Sequence, residues 1–222
     1  MSSKKKNSNY VTDKTLAKQA DKERAALAAK KKKLIMTSVI AAVVAIAIIG
    51  GVIGVGFASG WFDYKPEATE HVSIVIKDYG SLHVELYGDD APLTVDHFVE
   101  LVKLGKYNYT SFYEYEDNLL YAGDKNDNIT AETVKGEFSE NGVDNKISLR
   151  RGIIAMSRET SGYDSATSQF FVVTKDSVKL NGKYAAFGRI DDESMEIIDK
   201  ICEDMAAGKD APTITSISTH TH

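Results

Sequence analysis

Residues 34–60 form an uninterrupted apolar run, and this run constrains the architecture of the chain more than any other feature. The 27 residues of the run contain no ionisable side chain. A helix that rises about 1.5 Å per residue reaches roughly 40 Å over that length, which exceeds the ~30 Å hydrocarbon core of a bilayer. Trp61, Phe62 and Tyr64 follow, where an interfacial aromatic belt is expected. The run predicts a single transmembrane helix over residues 34–60, through which the chain contacts the lipid bilayer.

The charges on the two sides of this run are very unequal. Residues 1–33 carry eleven Lys or Arg residues and three acidic residues, a net charge of +8. The whole chain carries −5, so residues 61–222 carry −13. Basic residues flank transmembrane helices on the cytoplasmic side, so residues 1–33 are predicted to be a basic cytoplasmic tail. The C-terminal domain is then expected outside the cell membrane, after a juxtamembrane linker over residues 61–70.

A cleavable signal peptide is the alternative interpretation of residues 34–60. The stretch "FASG" at the end of the run loosely matches a small-residue cleavage site. Signal peptides, however, have a short basic region and an apolar core of roughly 7–15 residues. The present run is much longer and follows a tail of 33 residues. Both features favour an uncleaved anchor.

Alternating apolar residues across positions 71–90 predict a β-hairpin with one buried face, because successive side chains of a strand point to opposite sides. The alternating residues on the two sides of a short "KDYG" turn are Val72, Ile74, Ile76, Leu82, Val84 and Leu86. An amphipathic helix is predicted next, over residues 89–107. Pro92 lies near its start, Thr94 is its predicted cap and Gly105 its predicted end.

Short runs with strand character follow from residue 147; they are "IIAM", "SQFFVVT", "YAAFGRI" and "PTITSIST". A second amphipathic helix is predicted over residues 191–204, capped near Ser194. The only cysteine, Cys202, lies in its apolar pattern, which excludes an intramolecular disulfide and predicts a buried thiol. Two isolated helices among many short strands indicate a mainly β fold. They favour an antiparallel barrel whose ends are plugged by the helices.

Several motifs, in consistent order from about Val72 to Ile217, resemble those of the cyclophilin family of peptidyl-prolyl isomerases. The matching segments are "YGSLHVELYGDDAPLTVDHFVELVKLGKY", "GEFSENG", "RRGIIAMSRETSGYDSATSQFFVV" and "LNGKYAAFGRI". The resemblance implies a cyclophilin-like domain over residues 71–222, built as a closed eight-stranded antiparallel barrel capped by two α-helices. It also implies a shallow groove that binds proline-containing polypeptides without a metal ion or a cofactor.

The same resemblance implies roles for individual residues. Gln169 stands where the family hydrogen-bonds the peptide backbone, and Phe171 stands where the family lines the pocket for the proline ring. Residues two apart in a strand share a face, so these two roles are geometrically compatible. The other residues at positions that the resemblance implies for the substrate pocket are Phe112, Leu119, Met156, Leu180 and Tyr184.

The resemblance breaks at the residues that promote catalysis in the family. Glu114 occupies the position of an arginine that donates toward the proline nitrogen, and Tyr121 occupies the position of a catalytic glutamine. An ionised carboxylate has no proton to donate. The loss of one charge-assisted hydrogen bond, worth roughly 1.5–3 kcal/mol, lowers a rate roughly ten- to a hundredfold. The departure therefore predicts reduced activity.

Two functions are consistent with this pattern. The first is a membrane-anchored peptidyl-prolyl cis-trans isomerase that assists the folding of exported proteins with reduced activity. The second is a catalytically weak or inactive module that binds proline-containing peptides or partner proteins. A hydrolase or metal enzyme is poorly supported because, apart from the short "HTH" tail, the five histidines do not lie at ligand spacings. No nucleic-acid partner is expected, and the sequence does not indicate an oligomeric state.

Overall fold

The computed structural model describes residues 64–125 and 131–220 of the chain. The strands are β1 (Glu70–Ile76), β2 (Gly80–Leu86), β3 (Ser111–Glu116), β4 (Leu119–Gly123), β5 (Ile153–Met156), β6 (Phe170–Val173), β7 (Ala186–Ile190) and β8 (Ile214–His220). The α-helices are α1 (Pro92–Lys103) and α2 (Ser194–Ala206). Within these described ranges, no helix is long and apolar enough to cross a membrane. The predicted tail (residues 1–33) and transmembrane helix (residues 34–60) lie outside the described residues.

The structure confirms the predicted hairpin. β1 and β2 pair antiparallel, with Val72 opposite Val84 and Ile74 opposite Leu82. All the alternating apolar side chains of the hairpin are buried, whereas the residues between them are partly or fully exposed. The pattern of period two in the sequence therefore reports a strand pair with one face in the core.

All eight strands belong to one antiparallel sheet in the order β3-β4-β6-β5-β7-β2-β1-β8. The sheet curls, and within the described residues its two edge strands approach at an isolated bridge between Ser111 and Thr213. There the Phe112 N–H donates to the Pro212 carbonyl at 3.0 Å. The predicted closed barrel is thus corrected to a curled half-barrel. The bridge and this hydrogen bond join the two edges only at the start of β3, and β3 pairs along its length with β4 alone.

The main core lies inside the curled sheet, where the inward faces of the strands meet the two helices. The helix residues buried in this core are Val95, Phe98, Val99, Leu101 and Val102 of α1, and Met195, Ile198, Ile201 and Cys202 of α2. The Phe98 ring centroid lies 5.6 Å from that of Phe170 and 5.1 Å from that of Phe187. Truncation of a buried Phe to Ala costs about 3–5 kcal/mol. These ring contacts therefore hold α1 firmly against β6, the strand that follows Gln169.

A carboxylate from a distant loop caps α1. The helix is shorter than the predicted span of 89–107, and its N-cap is Ala91, which makes no side-chain hydrogen bond. The Glu137 carboxylate accepts hydrogen bonds from the Leu93 N–H at 3.1 Å and from the N–H and the hydroxyl of Thr94, each at 2.7 Å. The predicted cap, Thr94, is thus itself bound by the capping group. A negative charge at a helix N-terminus is favourable, so this contact also fixes the loop around Glu137.

α2 begins three residues after the start predicted for it. The Asp191 carboxylate accepts a hydrogen bond from the Ser194 N–H at 2.7 Å, so Asp191 supplies the cap that was predicted near Ser194. The Ser194 hydroxyl accepts from the His83 N–H at 2.9 Å and links α2 to β2. Cys202 is buried, as predicted. This burial raises the pKa of the Cys202 thiol to about 12.

Candidate functional site

The candidate site lies on the outer face of the sheet, where β6 runs between β4 and β5. Phe170 and Val172 point into the main core, and Phe170 is fully buried. Phe171 and Val173 belong to a second apolar cluster on the opposite face. Gln169 directly precedes β6, and the period of two in an extended chain places it on the side of Phe171.

Two tyrosine rings cover Phe171. The Tyr121 ring centroid lies 5.8 Å from that of Phe171 at an interplanar angle of 55°, and the Tyr184 ring lies 5.2 Å away at 90°. Phe171 is consequently only 1% exposed, although both tyrosines are partly exposed. Phe171 thus lies in an apolar cluster, and the chain's own tyrosines cover its ring in this structure.

The structure brings most of the predicted pocket residues together. Those that pack around Phe171 are Leu119, Leu180 and Tyr184; Tyr121, predicted at the position of the catalytic glutamine, packs there as well. Phe112 and Met156 are buried in the main core instead. Across β5 and β6, Met156 lies opposite Phe170, whereas Ala155 lies opposite Phe171. Strand register therefore directs the Met156 side chain away from the face that carries Phe171.

The protein holds both ends of the Gln169 amide. Its Oε1 accepts a hydrogen bond from the Tyr113 hydroxyl at 2.7 Å, and its Nε2 donates to the Asp124 carbonyl at 3.2 Å. An amide oxygen has two lone pairs and an amide nitrogen has two hydrogens, so each atom is able to make one further hydrogen bond. Because Gln169 is only half-buried, a peptide backbone has access to these positions.

The bulge in β3 decides which side chain of that strand reaches Gln169. β3 advances by two residues, from 112 to 114, while β4 advances by one, so Tyr113 is the extra residue. The Tyr113 ring stacks on Tyr121, with centroids 6.4 Å apart and planes 29° apart. Glu114 is exposed. The residue at the family's arginine position therefore lies at the rim, and Tyr113, to which the sequence analysis gave no role, makes the contact.

A polar pocket of about 370 Å³ adjoins Gln169. Its lining residues are Thr133, Ser157, Arg158, Glu159, Ser165, Thr167 and Gln169. The Arg158 guanidinium carbon lies 5.2, 5.1 and 5.0 Å from the ring centroids of Phe138, Tyr163 and Tyr184. This pocket was not predicted from the sequence. The available signal was the polar run "SRETSGYDSATSQ" between two apolar strands.

Across residues 64–125 and 131–220, no three His, Cys, Asp or Glu side chains are grouped as they would be around a metal ion. His97 belongs to the scaffold of the site. Its Nε2 lies 2.6 Å from the Thr167 carbonyl oxygen, and a carbonyl oxygen only accepts, so His97 donates this hydrogen bond. The contact ties α1 to the segment that leads into Gln169.

Comparisons with known proteins agree with this geometry. Residues 71–221 match the family model described as "Cyclophilin type peptidyl-prolyl cis-trans isomerase/CLD". A peptidyl-prolyl cis-trans isomerase of Acinetobacter baylyi is 37% identical over 132 residues, which span 55% of this chain and 66% of that protein. Peptidyl-prolyl cis-trans isomerase A of Dickeya dadantii is 37% identical over 134 residues, which span 56% of this chain and 67% of that protein. A peptidyl-prolyl cis-trans isomerase-like 2 protein of Cryptococcus neoformans is matched over only 27% of its length.

Solved structures show the same fold. A cyclophilin type peptidyl-prolyl cis-trans isomerase of Cryptosporidium parvum, crystallised in the presence of the dipeptide Ala-Pro, superposes with a TM-score of 0.57 and 25% identity. The superposition covers 68% of this chain and 99% of that one. The family match extends over well more than half of the sequence and includes both faces of the sheet. This chain therefore belongs to the cyclophilin type peptidyl-prolyl cis-trans isomerase family.

Proposed function

We propose that this chain is a peptidyl-prolyl cis-trans isomerase of reduced activity that binds proline-containing polypeptides on the outer face of β4 and β6. The observation that carries the proposal is the Gln169 amide, which lies beside the aromatic cluster around Phe171. A peptide backbone hydrogen-bonds to Gln169 while the proline ring packs against the aromatic rings. The Ala-Pro dipeptide used with the Cryptosporidium parvum relative supports a ligand of this class.

The chemistry requires rotation about one peptide bond and no covalent step. The barrier of ~18–20 kcal/mol comes from the loss of amide resonance. A protein lowers this barrier when it binds the twisted bond more tightly than the planar one. Here Gln169 holds the flanking backbone, and the Phe171 ring holds the proline once the covering tyrosine has moved. The two sides of the rotating bond are thus bound by different groups.

Two features support reduced activity. Glu114 is exposed at the rim and, when ionised, has no proton to donate. Loss of a charge-assisted hydrogen bond of roughly 1.5–3 kcal/mol corresponds to a rate lower by roughly ten- to a hundredfold. In addition, a ligand has to displace Tyr121 or Tyr184 before it reaches Phe171.

Charge at the rim favours particular peptides. Glu114, Glu116 and Asp117 are all exposed around the turn between β3 and β4. Like charges across an interface are unfavourable and opposite charges steer association. Basic or neutral segments are therefore the preferred substrates, and the preference weakens as salt is added.

The proposed substrates are exported proteins, because residues 34–60 are expected to anchor the chain with residues 71–222 outside the cell membrane. The charge of +8 on residues 1–33 supports this orientation. Protease added to intact cells tests it: the C-terminal domain should be digested while the tail is protected. Protection of the C-terminal domain until the cells are lysed contradicts the proposed location.

Exchange NMR spectroscopy on an Ala-Pro peptide tests the activity of the full-length protein in detergent micelles. Uncatalysed exchange takes about 10–100 s at 25 °C, and we expect a faster rate that rises with protein concentration. Gln169→Ala should lower this rate because it removes both amide atoms. Leu93→Ala, at an exposed position on α1, is the control and should not change it. A rate equal to the uncatalysed one at high protein concentration refutes the proposed activity.

A second function, a binding module without turnover, is favoured by the cover over Phe171 and by the carboxylate at position 114. In that case the peptide shifts the NMR signals of residues around Phe171 without accelerating exchange. Glu114→Arg distinguishes the two functions. A large gain in turnover shows that catalysis was lost at this residue, whereas an unchanged rate shows that position 114 does not limit it.

A further inference from the structure

Tyr113 is the β3 side chain that reaches the centre of the candidate site. Its hydroxyl lies 2.7 Å from the Gln169 Oε1. Its ring stacks on Tyr121, and Tyr121 contacts Phe171. Tyr113 therefore contacts Gln169 through its hydroxyl and the aromatic cluster around Phe171 through its ring. Glu114, one residue later, points to solvent at the rim.

The hydrogen-bond network determines the direction of the Tyr113 hydroxyl. The Asp124 carbonyl only accepts, so the Gln169 atom that faces it must be the Nε2 donor. The Gln169 Oε1 then faces Tyr113, and this oxygen also only accepts. Tyr113 must therefore donate its O–H. The phenol proton consequently points into the site.

Tyr113 keeps this proton at physiological pH. Burial raises the pKa of Tyr113 to about 12, and the charge of Glu114 adds to the effect. The Lys125 Nζ lies 5.7 Å from the centre of the Tyr113 ring and contributes a cation–π contact on the same side chain. An ionised Glu114 has no proton to donate, but its charge helps to keep Tyr113 protonated.

We infer that Tyr113 is the hydrogen-bond donor to the proline nitrogen in this chain, in place of the donor that Glu114 cannot supply. The inference rests on the proposed isomerase function. When a peptide binds Gln169 and displaces Tyr121 from Phe171, the Tyr113 O–H turns from the Gln169 Oε1 to the nitrogen of the twisted bond. That nitrogen becomes an acceptor only when amide resonance is lost. No covalent bond forms or breaks, and the proton stays on Tyr113.

The expected effect is smaller than that of a charged donor. Hydrogen bonds between neutral groups are about half as strong as charge-assisted ones. Removal of the Tyr113 hydroxyl should therefore lower kcat about 3- to 10-fold. KM should stay unchanged, because a hydrogen bond that forms only in the transition state contributes to kcat and not to ground-state binding.

Steady-state kinetics of the full-length protein and its Tyr113→Phe variant test the inference. Phenylalanine keeps the ring on Tyr121 and removes only the hydroxyl. Tyr115→Phe is the matched control, because Tyr115 is on the same strand but packs against the main core; it should keep the wild-type kcat and KM. An unchanged kcat in Tyr113→Phe, or a rise in KM alone, overturns the inference and leaves the isomerase proposal intact. Absence of turnover in the wild type overturns both.

A fluorinated tyrosine at position 113 gives a second test, the pH dependence of kcat, which would not change if Tyr113 served only in packing. Fluorination lowers the pKa of a phenol, so the donor is lost at a lower pH than in the wild type. We expect kcat of this variant to fall by the same factor of about 3 to 10 as the pH rises through the lowered pKa, while the wild type stays level. A pH profile identical to that of the wild type overturns the inference.

Discussion

Replacement of Tyr121 with glutamine should open the proposed proline surface and strengthen peptide binding. In the structure the Tyr121 ring lies 5.8 Å from Phe171 and 6.4 Å from Tyr113 between centroids. An aromatic pair contributes ~0.5–1.5 kcal/mol beyond area burial, so displacement from both partners costs about 1–3 kcal/mol. A ligand that binds only the open state has its apparent affinity reduced by the open fraction. The cover should therefore weaken binding about 5- to 150-fold.

NMR titration of the full-length protein with an Ala-Pro peptide measures this effect. Tyr121→Gln should bind about 5- to 150-fold more tightly than the wild type, because glutamine does not stack on Phe171. Tyr109→Gln is the matched control, since Tyr109 is 82% exposed, and it should keep the wild-type Kd. An unchanged or weaker affinity in Tyr121→Gln refutes the reasoning, because the ring would then be part of the binding surface and not its cover.

Two further predictions concern the scaffold. Glu137→Gln removes the charge that caps α1 and should lower the free energy of unfolding by about 1.5–3 kcal/mol; thermal unfolding checks this, with the exposed Glu140→Gln on the same loop as a control that should keep the wild-type Tm. Burial raises the pKa of Cys202 to about 12, against about 8.5 in an unfolded chain. Between these two pH values the thiol ionises in the unfolded chain but stays neutral in the folded one. The contribution of Cys202 to stability is therefore present below about pH 8.5 and is lost as the pH rises toward 12. The Tm of the wild type should accordingly fall more steeply above about pH 8.5 than that of Cys202→Ala, and parallel pH profiles would contradict this.

Local patterns predicted the elements of this fold but not their ends. β1 and β2 were predictable because burial of one face imposes a period of two on neighbouring residues. The existence of α1 was predictable for the same kind of reason, at a period of 3.6. The start of α1 was not predictable from the sequence. Glu137, which caps the helix, lies 43 residues from Thr94 and 44 residues from Leu93 along the chain. A contact of that separation leaves no local pattern at either end.

The sequence predicted which positions form the candidate site, but it did not predict where the side chains at these positions point. The resemblance places a carboxylate at position 114 where the family has a donor, and this prompts the expectation of reduced activity. It does not predict the bulge in β3, which brings the Tyr113 ring against Tyr121 and leaves Glu114 exposed at the rim. Met156 shows the same limit: its place in the sequence matches the family, but strand register sets it opposite Phe170 in the main core.

Gly123 shows that the backbone of β4 positions the candidate site. Its φ is +106°, and a Cβ there would lie 2.8 Å from the Ser168 carbonyl oxygen and 3.3 Å from the Gln169 Cα. Only glycine lets β4 end this close to the segment that leads into β6. The approach brings the Asp124 carbonyl to 3.2 Å from the Gln169 Nε2, and this contact turns the Oε1 toward Tyr113. Gly123 therefore helps to orient the proposed donor, Tyr113, through the Gln169 amide. This orientation does not depend on the residue at position 114.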